Sequence, residues 1–397
     1  MITRGFWLQA LIICLCSGCG AVSQKVSQFM GGEDNATPPT PLMDMEQRFE
    51  IDQLWETEIG DGTDTQYLKL VPVYVEGRIF VADSEGNVEA IDARSGKSLW
   101  KTEVDTRVTG GPGVGENLVI VGTGKAEVIT MAADTGKILW HGSVSSEVLS
   151  PPQPAGKIIV VRTIDGKIFG LDSQEGKRLW TYEQSVPALT LRGTSSPVIA
   201  GNYLVAGFDE GRLAAIELQT GKVVWDTRIV LGSGRTELER MIDIDAEPVI
   251  VGDVIYVATF QGRIAAIALE TGRILWSREV SSYAGLCADD KAIYVTADDS
   301  AIWALDRITG NSLWKQEKLK ARALTAPAIS GDMIVVGDME GYVHWIDKAT
   351  GELAARQRIT KNRIIAKPIT AAETVYIYDT DGTLAAYTIQ QSSPEKN

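Results

Sequence analysis

The sequence predicts an all-β chain, an eight-bladed β-propeller of four-stranded antiparallel blades closed by pairing its N- and C-terminal strands. Three observations predict it. A Gly-x-x-x-Trp motif recurs, each copy is preceded by short β-rich runs joined by turns, and the two chain ends hold complementary pieces of one more unit.

The motif reads Ser95-Gly96-Lys97-Ser98-Leu99-Trp100, then Thr135-Gly136 to Trp140, Glu175-Gly176 to Trp180, Thr220-Gly221 to Trp225, Thr271-Gly272 to Trp276, Thr309-Gly310 to Trp314, and a degenerate Thr350-Gly351-Glu352-Leu353-Ala354-Ala355. Its glycines stand 40, 40, 45, 51, 38 and 41 residues apart, which is the spacing of propeller blades. Within a unit, a Pro-initiated apolar strand such as Pro248-Val249-Ile250 precedes a run such as Val254-Ile255-Tyr256-Val257. A polar Gly turn, a third strand such as Val88-Glu89-Ala90-Ile91-Asp92, and the Trp strand follow. An eighth unit begins at Pro368 and supplies Val375-Tyr376-Ile377-Tyr378 and Thr383 to Tyr387 before the chain runs out. Its missing Trp strand is Leu54-Trp55-Glu56-Thr57-Glu58 at the other end, and pairing the two leaves no free edge between first and last blades. The tryptophans Trp55, Trp100, Trp140, Trp180, Trp225, Trp276 and Trp314 are expected to dock blade on blade. Each can bury roughly 150–250 Å².

What precedes the propeller reads as an address. Arg4, the apolar stretch Phe6 to Leu15 and the small residues Ser17-Gly18-Cys19 have the form of a secretory signal peptide, too short to span a membrane. Leu15-Cys16-Ser17-Gly18-Cys19 resembles the lipobox of bacterial lipoproteins, with Cys16 where Leu is usual. The resemblance implies cleavage after residue 18, acylation of Cys19 and, with Gly20 rather than Asp next, sorting to the periplasmic face of the outer membrane. Residues 19–48, with Gly31-Gly32 and Thr37-Pro38-Pro39-Thr40-Pro41, are expected to be a tether. The propeller is placed at 49–391 and a short tail at 392–397.

Composition narrows the chemistry. With 38 basic and 52 acidic residues the net charge is −14, which argues against nucleic acid and leaves the lipid anchor as the membrane contact. Cys14 and Cys16 leave with the signal, so Cys287 is the one internal thiol and no zinc-type cluster or disulfide framework is expected. The two histidines, His141 and His344, abut blade strands without a catalytic motif. Acidic turns at Asp83, Asp338 and Asp379 recur at one hairpin and read as turn chemistry rather than calcium loops. Gly232-Ser233-Gly234-Arg235 lacks the Lys-Ser/Thr of a phosphate loop. No metal, cofactor or catalytic residue is therefore expected. The Ala-x-Asp-x-x-Ser/Thr-Gly-x-x-x-Trp pattern resembles the docking repeat of pyrroloquinoline-quinone propellers, whose enzymes carry a vicinal cysteine pair that this chain lacks. A degenerate quinoprotein and a periplasmic glycan-binding propeller are the alternative readings.

Function is expected where the repeat lengthens, because insertions collect as loops on one face. The longest interval holds Ile229 to Glu247, and the preceding connector, Ser185 to Thr194, is also extended. Leu189, Leu191 and Arg192 on one and Asp243 and Asp245 on the other combine apolar anchors with both charge signs, as a protein interface does. With the lipobox, the Pro-rich tether and eight docking blades, the loops Ala188-Leu189-Thr190-Leu191-Arg192-Gly193 and Leu238-Glu239-Arg240-Met241-Ile242-Asp243-Ile244-Asp245 resemble the BamB family, propeller lipoproteins of the outer-membrane β-barrel assembly machinery. The resemblance spans nearly the whole chain. It implies a non-catalytic scaffold whose two loops, through those five residues, bind the POTRA domains of the central barrel subunit, and which helps deliver unfolded barrel precursors.

Overall fold

Thirty-two strands, arranged as eight four-stranded antiparallel sheets, form the ring in a computed structural model that describes residues 37–63, 68, 70–186, 195–230 and 242–391. The chain divides into 1–39 and a unit from Thr40 to Asn397, which carries all of these strands. Blades 1 to 7 follow one another as 73–103, 108–143, 153–183, 198–228, 249–278, 285–316 and 328–358. Blade 8 takes three strands from 369–391 and its outermost strand, β1 (Phe49–Glu58), from the other end of the chain. There β1 pairs with β32 (Thr383–Gln391) over a ladder running from Phe49 opposite Gln391 to Glu58 opposite Thr383. The predicted closure is therefore present.

No single core holds this ring. Buried apolar side chains fall into eight clusters, each shared by two adjacent blades: Ile79, Val81 and Ile91 of blade 1, for instance, meet Tyr376, Tyr378 and Leu384 of blade 8. Inner strands are apolar on both faces because each face meets a neighbour, as in Ile158-Ile159-Val160-Val161.

The repeated motif is a docking device. In every blade the outermost strand carries a bulge one residue before the tryptophan position, so that Ala90 faces Trp100 while Ile91 already faces Ser98. The extra residue, Leu99, is thrown outward to 52 % exposure, and the twist turns Trp100 toward blade 2. Its indole N–H donates to the Ala133 carbonyl at 2.9 Å. The same bond joins Trp55 to Ala93, Trp140 to Ser173, Trp180 to Leu218, Trp225 to Leu269, Trp276 to Arg307 and Trp314 to Lys348, at 2.7–3.1 Å. Each ring lies on the next blade's motif glycine: a Cβ on Gly176 would sit 2.6 Å from the Trp140 ring, and its φ of +69° is left-handed. Both space and backbone thus demand glycine. The Asp of the motif shapes the same turn, Asp92 Oδ1 accepting from the Ser95 amide at 2.8 Å.

The junction from blade 7 to blade 8 is built differently. Its motif tryptophan is replaced by Ala355, and the facing residue on the neighbouring strand is Trp345, so large and small have exchanged places. The receiving glycine turn is absent as well, because β32 and β1 are chain ends with no turn between them. Phe49 instead packs with Trp345, Ala354 and Ala355.

Thr40 to Gln47 precede β1 as a strap along blades 6 and 7. The Thr40 amide donates to Lys320 O at 3.0 Å, Arg322 Nη1 donates to Thr40 O at 3.1 Å, and Arg356 Nη2 donates to Met43 O at 3.1 Å. Leu42 packs on the cluster between these blades. The sequence reading extends the tether to residue 48, whereas this stretch is bonded to the ring from Thr40.

Candidate docking face

The connectors from an outermost strand to the next blade's innermost strand all begin and end on one face of the ring. The longest, from Arg228 to Val249, and the extended one from Glu183 to Val198 are neighbours there; the connector from Glu58 to Val73 is as long as the latter but lies apart from them, between blades 8 and 1. Leu189, Leu191 and Arg192 lie outside the described residues. Asp243 and Asp245 lie within them, at the base of the second connector and 2 % and 8 % exposed. Asp245 borders the central cavity, about 640 Å³, whose wall includes Val71, Leu149, Phe260, Tyr283 and Leu286.

Between the two connectors sits a residue that sequence reasoning missed. Arg162 ends the second strand of blade 3 (Ile158–Arg162) and is only 4 % exposed. Its Nη1 donates to the Ser195 carbonyl at 2.9 Å and to the Ser195 hydroxyl at 3.1 Å, where the first connector returns, and its guanidinium lies 5.0 Å over the Phe208 ring. Burial pushes its pKa down, and the charges of Asp209, Asp245 and Asp243 push back. Asp209 shows the opposing strain. Burial first, then the like charge of Asp243, raises its carboxyl to about 6, with Arg162 acting against them. The second connector is joined to this group through its backbone: Ile244 N donates to Phe208 O at 3.3 Å, and Phe260 N donates to Asp243 O at 2.9 Å. A basic residue closing the otherwise apolar Ile158-Ile159-Val160-Val161 was the available signal.

The remaining polar candidates serve turns and packing. Asp83 Oδ1 accepts from the Gly86 and Asn87 amides, Asp338 Oδ1 from Glu340 and Tyr342, and Asp379 Oδ1 from Asp381 and Thr383, all at 2.7–3.0 Å. His344 is buried with Nε2 3.0 Å from Asp338 Oδ2, and burial lowers its pKa; His141 is exposed on blade 2. Cys287 is buried, which pushes its thiol up to about 12. Among the described residues no group of three or more His, Cys, Asp or Glu is placed to hold a metal ion.

With a closed eight-bladed ring and one elaborated face in view, comparison with known proteins decides the family. A family profile described as outer membrane protein assembly factor BamB matches residues 52–108, 84–316 and 309–393. This chain belongs to the BamB family. The BamB of Pseudomonas aeruginosa is 46 % identical over 97 % of this chain and 99 % of its own, and that of Escherichia coli K12 is 34 % identical over 95 % and 97 %. The crystal structure of BamB from Moraxella catarrhalis superposes with a TM-score of 0.78 at 28 % identity, covering 85 % of this chain and all of that one. A europium-containing methanol dehydrogenase shares the fold alone, with a TM-score of 0.73 at 12 % identity over 85 % of this chain and 93 % of its own. The curated BamB relatives carry the name of an assembly factor and not of an enzyme.

Proposed function

We propose that this chain is a non-catalytic scaffold of outer-membrane β-barrel assembly, anchored through acylated Cys19 to the periplasmic face of the outer membrane. It docks on the POTRA domains of the central barrel subunit through the connectors at 185–194 and 229–247, with Leu189, Leu191, Arg192, Asp243 and Asp245 as the residues of the contact, the last two at the base of the second. In this position it assists delivery of unfolded barrel precursors. The observation that carries the reading is that the longest connector, from Arg228 to Val249, and the extended one from Glu183 to Val198 fall on adjacent blades and one face, above a buried charged base, in a chain of the BamB family. Apolar and Arg residues on such a base match the composition of residues that dominate protein interfaces.

Co-purification from membranes tests it. Leu191→Glu and Arg192→Glu are expected to release the barrel subunit while the melting temperature stays within the error of wild type. Full retention of that subunit by both variants would sink the reading.

A further inference from the structure

Arg162 departs from a packing rule that its neighbours obey. At the same strand position the adjacent blades 2 and 4 have Gly122 and Gly207, blades 1, 5 and 7 have Ala82, Ala258 and Gly337, blade 6 has Thr296, and blade 8 alone has another large residue, Tyr378. The reason is steric. A Cβ on Gly122 would lie 2.3 Å from Val148, one on Gly207 2.3 Å from Ile244, and one on Gly337 2.5 Å from Ile364. In each case a branched residue four positions before a proline, Pro152, Pro248 or Pro368, fills the space above a glycine. Between blades 3 and 4 the sequence pattern is reversed: the residue four positions before Pro197 is Gly193, which lies outside the described residues, and the strand position holds Arg162. Where its neighbours leave room for an aliphatic side chain, this blade buries a guanidinium at the base of two connectors.

A second rule breaks beside it. At the hairpin between the second and third strands, blades 1, 2, 3, 5, 7 and 8 place Asp or Thr (Asp83, Thr123, Thr163, Thr259, Asp338 and Asp379), whose side chain holds the turn. Blade 4 places Phe208 there, under the Arg162 guanidinium, and the acid moves one residue on, to Asp209. Blade 6 also lacks the polar turn residue, having Ala297, but only between blades 3 and 4 does the departure bury a cation, which is the kind of local inconsistency expected at a place shaped for something other than folding.

We propose that Arg162 is the positioning residue of the docking face, one buried cation that sets the bases of both long connectors and so the surface a partner meets. It grips the first through Ser195 by two hydrogen bonds, and it meets the second through the blade 4 hairpin, where the Phe208 ring lies under the guanidinium and the Phe208 carbonyl accepts from Ile244 N, with the charges of Asp209, Asp243 and Asp245 around it. Glu210, the remaining acid of that hairpin, is drawn outward by Arg228 at 2.8 Å. The inference rests on the docking reading above.

The test uses the detergent-solubilised full-length lipoprotein, with amide hydrogen exchange as one readout and affinity for the POTRA domains of the barrel subunit as the other. Arg162→Met keeps the bulk and removes the charge and donors. It is expected to speed exchange at least tenfold in both 195–200 and 242–260, leave blades 1 and 7 unchanged, and weaken binding at least tenfold. Arg162→Lys restores the charge and should recover most of both losses, which a purely volume-filling role would not allow. Faster exchange confined to one segment or spread over all blades, or a Lys variant no better than Met, overturns the proposal. Leu191→Glu is the control for the docking reading. If it leaves binding intact, that reading fails, and the exchange data alone decide whether Arg162 sets the connector bases.

Discussion

Seven of the eight junctions between blades are locked by a tryptophan laid on a left-handed glycine, and one is not. The junction from blade 2 to blade 3 represents the seven. Trp140 lies on Gly176, its N–H bonded to Ser173 O, and Leu139 projects outward at 50 % exposure. At the junction from blade 7 to blade 8 the bulged position is Ala354, which is buried, and Trp345 is fully buried with no acceptor for its indole N–H among the described residues. The difference teaches that the tryptophan and the glycine are one device. Where the ring is closed from two chain ends there is no turn to carry the glycine, so an indole on the outer strand has nothing to lie on. The large side chain moves inward, and a longer ladder, ten residues in β1 against six in the outer strand of blade 2, closes the gap.

The comparison breaks if the two kinds of junction respond alike to exchange of their residues. Trp140→Ala is expected to cost about 3–5 kcal/mol, the usual penalty for emptying a large aromatic site. Trp345→Ala should cost a similar amount, and adding Ala355→Trp should not recover it. A double variant that melted like wild type would show that the eighth junction can also use an outer tryptophan. Gly176→Ala should cost roughly 2 kcal/mol, from the left-handed backbone together with displacement of the Trp140 ring. A denaturant midpoint unchanged in that variant would mean that the ring is free to move off the turn. The smallest effect belongs beside the largest: Leu139→Ser, on the outward side of the same bulge, is expected to stay within about 0.5 kcal/mol of wild type. A loss approaching that of Trp140→Ala would show that the bulged residue packs in solution.

Much of this ring was legible in the chain. Glycine and tryptophan kept their spacing because each copy must satisfy the same local geometry, and Trp55 without a preceding unit pointed to the closure. The candidate docking face was legible in the extended connectors at 185–194 and 229–247 and in the resemblance of their loops, but not in its buried base. Asp243 and Asp245 read as offered to a partner, yet both are buried at the connector base, because burial there depends on Phe208, Phe260 and Arg162 from other hairpins. The strap was missed for a similar reason: Pro41 and Leu42 look like linker until Lys320, Arg322 and Arg356 are brought beside them.

By itself the sequence determined the number of blades, the closure and the tryptophans that dock seven of the eight junctions, since these follow from contacts whose spacing repeats along the chain. Only the tertiary structure decided which position could dispense with its tryptophan and where a buried arginine stands between two loops. Those depend on residues that no repeat relates, Ala355 with Trp345 and Arg162 with Ser195 and Asp209, whose sizes and charges acquire meaning only when folding makes them neighbours.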